Sequence, residues 1–203
     1  MALRNIVLDG DPVLKKVCRP VTDFNVRPAQ LLDDMAETML DADGLGLAGP
    51  QVGVMRRVFV ALDESSLPPA LQSDRADEEE PGEEEVLEAL EGEWEPMVVE
   101  FINPEIIEKE DEVLGYEGCL SFPGRIGAIR RPKRAKVRAQ DREGNLFEFE
   151  GTGMMARCLC HEIDHLNGIT IEDLAEYFYD PENPGELDGE DSGEETAAEA
   201  AEE

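Results

Sequence analysis

The stretch from Met154 to Asn167 constrains this chain more than any other. It reads as a helix, with Thr152 a suitable N-cap and Gly168 a suitable stop. Met155, Leu159, Ile163 and Leu166 make one side apolar, and Met154 and Cys158 carry apolar surface onto the other. A helix apolar on most faces is a buried helix, so the rest of the fold must wrap around it. Yet this helix holds the only two histidines of the chain, His161 and His165, together with Glu162. Side chains at i and i+4 project about 40° apart, on one face. Two imidazoles so placed can grip one metal ion, and Glu162 on the rim of that face can reach a water beside it. Buried polar groups must be paired, and a metal supplies the pairing.

Two histidines leave a third ligand to find. A further histidine of the extended metallopeptidase kind falls at position 171, which is Ile. Glu172 and Asp173 are close in sequence, but nothing singles them out, and the acids from Glu182 onward sit in a Pro/Gly-rich tail. A cysteine thiolate is the alternative. Cys18 lies in no motif and reads as a small core residue. Cys160 is about 100° from His161 around the helix, off the metal face. Cys158 is on that face, and Cys119 sits in Glu117-Gly-Cys-Leu-Ser121, a loop-like turn where Gly118 lets backbone approach closely. Chemistry alone favours Cys119 and leaves Cys158 open.

The remaining periodicities define the class. Residues 27–43 read as a second helix, with Pro28 near its start, Leu31, Leu32, Met35, Met39 and Leu40 as an apolar stripe, and Gly44 as its stop. Gly44 to Gly53 is too glycine-rich for a helix interior. Strands are expected at 56–62, at 97–107 with a kink at Asn103-Pro104, and at 112–116. Further short strands are expected at 125–130, 133–141 and 146–150, with Pro132 separating the first two. A short third helix is expected at 171–179. Short, mostly antiparallel strands packed around a central metal-binding helix make an α+β fold.

Charge sets the boundaries. The formal net charge is −31, from 49 Asp and Glu against 18 Lys and Arg. Residues 63–95 hold 14 acids and one base, Arg75, and residues 180–203 hold 11 acids and no base. Both runs are poor in large apolar residues, so burial cannot offset the entropy of ordering them. They read as an acidic insert, with room for one helical turn at Val86–Leu90, and an acidic, disordered tail on a single catalytic domain spanning 1–175. So acidic a chain argues against direct nucleic-acid binding and against docking on anionic lipid. No apolar run approaches the roughly 20 residues of a membrane span. The N-terminal residues have neither signal-peptide nor transit-peptide character, so a cytoplasmic location is expected, and in that reducing setting four cysteines read as core, ligands or thiols.

Three motifs together resemble the peptide deformylase family: Gly44-Leu-Gly-Leu-Ala-Gly-Pro-Gln51, Glu117-Gly-Cys-Leu-Ser121 and His161-Glu-Ile-Asp-His-Leu-Asn-Gly168. The resemblance spans residues 1 to about 175. It implies Cys119, His161 and His165 as ligands of one ferrous ion, which zinc, nickel or cobalt can replace, with the fourth position left to water. It implies Glu162 as general base and acid, and the Gln51 amide with the Leu120 backbone N–H as donors to the oxyanion. The implied reaction is attack by the metal-bound water on the formyl carbon of N-formyl-methionyl nascent peptides, releasing formate. The Gly44–Gly46 backbone would pair with the peptide as a strand does, with Gly46 and Gly118 among the substrate-binding residues. Leu45, Met154 and Cys158 are candidates for the pocket taking the methionine side chain, and each is also a type that a plain core uses.

Two residues depart from the family pattern: Gly49 stands where alanine is usual, and Cys160 where glutamine is usual. Gly49 is expected to loosen the backbone next to Gln51, and Cys160 to weaken hydrogen bonding behind the histidines. Arg157, one turn before His161, reads either as a partner of Glu117 or as a surface arginine. Transient proximity to the ribosome fits the implied substrate, although a tail this acidic is repelled by ribosomal RNA.

Overall fold

The computed structural model describes residues 2–24, 26–68, 72 and 95–179. Most of the acidic stretch 63–95, with the expected turn at 86–90, and all of 180–203 lie outside the described residues. Six antiparallel strands form one sheet: β1 (Gly46–Ala48), β2 (Val58–Leu62), β3 (Val98–Gly118), β4 (Ile126–Gln140), β5 (Leu146–Thr152) and β6 (Tyr177–Tyr179). The order is β1-β2-β3-β4-β5, with β6 paired to the start of β4. Among the described residues the α-helices are α1 (Val26–Asp41), α2 (Gly153–Leu166) and the single turn α3 (Ile171–Leu174). Among the described residues no helix is long and apolar enough to cross a membrane.

The sheet is covered on both faces near its β2 end. Phe59 and Ala61 of β2 pack with Phe101, Val137 and Ala139 against Met155, Leu159 and Ile163 of α2. Val58, Val60 and Leu62 point the other way, onto Leu32, Met35 and Met39 of α1. That is why β2 is a continuous apolar run with no polar alternation. Each large apolar side chain so buried contributes about 1.5–3 kcal/mol against chain entropy. α2 is thus the central element its composition demands.

Several expected boundaries fall differently. The strands expected at 97–107 and 112–116 are one strand, β3; it absorbs its kink as register shifts between Ile102 and Glu105 and between Ile106 and Glu108. Asn103 takes a left-handed backbone there (φ +51°). The strands expected on either side of Pro132 are also one strand, β4. Pro132 lies between Ala128, where β6 stops pairing, and Arg134, where β5 begins. On that side β4 is an edge, the place where a residue without an N–H is tolerated. The third helix stops at Leu174, because Tyr177-Phe-Tyr179, rich in β-formers, pairs with Ile126–Ala128 instead.

Candidate active site

α2, the β1 region and the turn after β3 converge on one cleft of about 510 Å³, whose lining includes Gly46, Gln51, Cys119, His161 and Glu162. Cys119 follows the last residue of β3, which is paired through Gly118 and Ile126 to β4. The turn is closed by the Phe122 N–H donating to the Cys119 carbonyl (2.9 Å). The sulfur is thereby held over the histidine face of α2. Cys119 Sγ lies 3.2 Å from His165 Nε2, which lies 3.2 Å from His161 Nε2. The ligand atoms of these three residues all fall within 4.8 Å of one another. The structure brings Cys119, and not Cys158, together with the two histidines: the Cys158 thiol donates to the Leu45 carbonyl (3.5 Å), and burial holds its pKa well above the ordinary value.

The surroundings fit a cation. His161 Nδ1 donates to Glu117 Oε2 (3.0 Å), so in the neutral ring Nε2 carries the lone pair and faces the other two ligand atoms. Burial works against the Glu117 charge, but hydrogen bonds from His161 and Arg131 hold the carboxyl at about 2. Burial also disfavours charge on both rings, yet the bonds to Cys119 and Glu117 raise His161 to about 10, while burial and then the neighbouring His161 charge keep His165 well below its ordinary value. The pocket thus accommodates one positive charge between two rings. A divalent ion between Cys119, His161 and His165 supplies that charge with both rings neutral, and an S/N/N donor set suits ferrous iron or zinc.

Glu162 is 3 % exposed, and its Oε2 has no partner among the described residues. Burial pushes its carboxyl up to about 7. Gly46 makes room for it: a Cβ there would lie 2.4 Å from Glu162 Oε1 and 2.8 Å from Cys158 Sγ. Gln51 is equally fixed. Its Oε1 accepts from the Ala48 N–H (2.8 Å), so its Nε2 turns to the cleft, 3.3 Å from Ser121 Oγ and 3.6 Å from Cys119 Sγ. Leu120 lines the same cleft. So does Gly118, where a Cβ would meet nothing within 4 Å; its missing side chain leaves open space and no close backbone approach. Leu45 and Met154, each 43 % exposed, line the cleft with Cys158, and all three also border an adjoining cavity of about 220 Å³ with Leu62 and Leu67.

Gly49 sits in a tight backbone turn beside Gln51, and Cys160 puts an apolar contact where glutamine is usual. Gly49 is locked in the short 3-10 helix Gly49–Val52, and a Cβ there would sit 2.7 Å and 2.8 Å from the Val54 and Arg56 carbonyl oxygens. Cys160 packs with Ala135 and Ala156 as a plain apolar contact. Arg157 is buried, and its Nη1 donates to Glu117 Oε1 (2.9 Å). Arg131 was not legible as a site residue, because Arg130-Arg-Pro-Lys-Arg134 looks like a surface basic run. It donates to Glu117 through Nε (2.7 Å) and Nη2 (3.0 Å), and to Asp164 through Nη1 (2.5 Å). Strand alternation carries the missing signal: Arg131 shares parity with the buried Ile129, Ala135, Val137 and Ala139. Ser121, which steadies Gln51, carries no sequence signal beyond its place in the Glu117–Ser121 motif.

Comparison with known proteins shows the family. The polypeptide deformylase family profile matches residues 3–177. A peptide deformylase from Caldanaerobacter subterraneus subsp. tengcongensis is 43% identical over 189 residues, covering 93% of this chain and 98% of that protein. The crystal structure of peptide deformylase from Thermotoga maritima superposes with a TM-score of 0.68 at 37% identity, covering 86% of this chain and 99% of the other. A peptide deformylase from Synechococcus elongatus in complex with actinonin matches with a TM-score of 0.65 at 32% identity, covering 85% of this chain and 79% of the other. The chain therefore belongs to the peptide deformylase family, metal-dependent hydrolases that remove N-terminal formyl groups from new polypeptides.

Proposed function

We propose that this chain deformylates formyl-methionyl nascent peptides in the cytoplasm, using Cys119, His161 and His165 to hold one ferrous ion. One observation carries this: three ligand atoms within 4.8 Å of one another, in the same cleft as a buried glutamate and an oriented amide. An ion held by three protein ligands supplies a Lewis acid and a water acidic enough to ionise near neutral pH. Glu162 takes a proton from the attacking water at a carboxylate oxygen and delivers it to the leaving amine. Gln51 Nε2 and the Leu120 N–H donate to the formyl oxygen as negative charge builds there, each contributing about 100–1000-fold in rate. The peptide runs along Leu45 and Gly46, past Gly118, pairing backbone to backbone without demanding particular side chains. Its methionine side chain enters the apolar space bordered by Leu45, Met154 and Cys158.

The unit of function is one domain over residues 1–175, and the acidic stretches 63–95 and 180–203 are additions to it. The test is formate release from formyl-Met-Ala-Ser, assayed anaerobically with metal content measured on the same sample. Glu162→Gln keeps the metal and lowers turnover about 100- to 10,000-fold. Cys119→Ala loses both metal and turnover. A Cys119→Ala protein that retains both would overturn the assignment.

A further inference from the structure

Arg157 does more than pair with Glu117. Its guanidinium lies across the Gly115–Ile129 cross-strand pair of β3 and β4. Nη1, with two N–H groups, shares them among the Ile129 carbonyl (2.9 Å), Glu117 Oε1 (2.9 Å) and, more distantly, the Gly115 carbonyl (3.3 Å), and Nη2 reaches the Val113 carbonyl (3.4 Å). The group fits because residue 115 is glycine: a Cβ there would stand 2.4 Å from Nη2 and 2.9 Å from Cζ. Arg157 and His161 stand at i and i+4 on α2, so both reach the same carboxylate from one helix face. The Glu117 carboxylate accepts four bonds in all, two from Arg131, one from Arg157 and one from His161. Arg131 grips it from β4. Arg157 is the tie that, beside His161 itself, joins it to the helix carrying His161.

Resting on the metal-binding reading above, we propose that Arg157, seated in the slot left by Gly115, is a positioning residue that acts through Glu117 to fix the His161 ring toward the ion. A carboxylate with one bond fewer pivots, and the imidazole hydrogen-bonded to it pivots too. An arginine that merely staples α2 to the sheet has a different signature, since its loss lowers stability and leaves the metal centre as it was.

Cobalt(II)-loaded full-length protein separates these. Parent protein is expected to show a thiolate-to-cobalt charge-transfer band that Cys119→Ala abolishes; absence of the band in the parent, or its persistence in that variant, overturns the metal-binding reading and this inference with it. Given the band, Arg157→Met is expected to weaken cobalt affinity about 10–100-fold in chelator competition and to shift the d–d envelope. Gly115→Ala, which keeps the arginine but fills its slot, gives the same shift and covers the case in which Arg157→Met does not fold. Arg157→Lys recovers part of the affinity. In a Glu117→Gln background, adding Arg157→Met changes affinity less than about twofold, because the pathway is already cut. Folded Arg157→Met or Gly115→Ala protein with parental cobalt affinity and band energies would overturn the proposal, as would an Arg157→Met effect undiminished in Glu117→Gln.

Discussion

Arg131 and Arg134 stand three residues apart on β4, and Arg131 pairs with two acidic residues and Arg134 with three, but they sit in different media. Arg131 is odd in the strand's alternation and faces α2, where its side chain is 8 % exposed and that of Glu117 3 %. Arg134 is even and faces solvent, gripping Glu150 (2.6 Å and 2.7 Å) and Glu110 on neighbouring strands. On the outer face water and salt screen the attraction, and ordering long side chains uses up most of what is gained. On the inner face desolvation is costly, so the charges persist only because every one is bonded, and removing one strands another. The same ion-pair chemistry is decoration on one side of the strand and a frame for His161 on the other.

The sharpest way to break this contrast is Arg131→Met. It leaves Glu117 and Asp164 short of donors, and urea unfolding is expected to show a loss of about 3–5 kcal/mol. About 1 M salt, which shrinks the screening length to about 3 Å, leaves that loss in place. A neutral change at the same cleft gives a smaller effect. Gly49→Ala pushes a methyl group onto two carbonyl oxygens and is expected to cost about 1–3 kcal/mol in urea unfolding and to slow formate release by displacing Gln51. Arg134→Met is expected to leave the urea midpoint within error of the parent; equal losses for Arg131→Met and Arg134→Met would erase the distinction between the two faces. Smallest of all, deleting residues 181–203 is expected to change neither melting temperature nor formate release from formyl-Met-Ala-Ser.

The two faces also differ in how legible they were. The helix with His161, Glu162 and His165 announces itself, because polar groups on an otherwise apolar helix are a local contradiction that only a site resolves. Gln51 and Cys119 follow from motifs. Arg131 and the Gly115 slot do not, because their meaning depends on which strand face meets α2 and on a partner 42 residues away, in the case of Gly115 and Arg157. The strand lengths failed for a related reason. Asn103-Pro104 and Pro132 look like breaks locally, but a bulge and an unpartnered edge absorb them. Tyr177–Tyr179 joined the sheet because β4 offered three residues with a free side, which no local window reveals.

X-ray absorption at the metal edge of zinc-loaded protein examines the centre most directly. One sulfur scatterer at about 2.3 Å and two imidazole nitrogens at about 2.0–2.1 Å, with a light atom completing the shell, are the expected result. A shell without sulfur, or one closed by a fourth protein ligand, contradicts the assignment of Cys119, His161 and His165 to an open metal site.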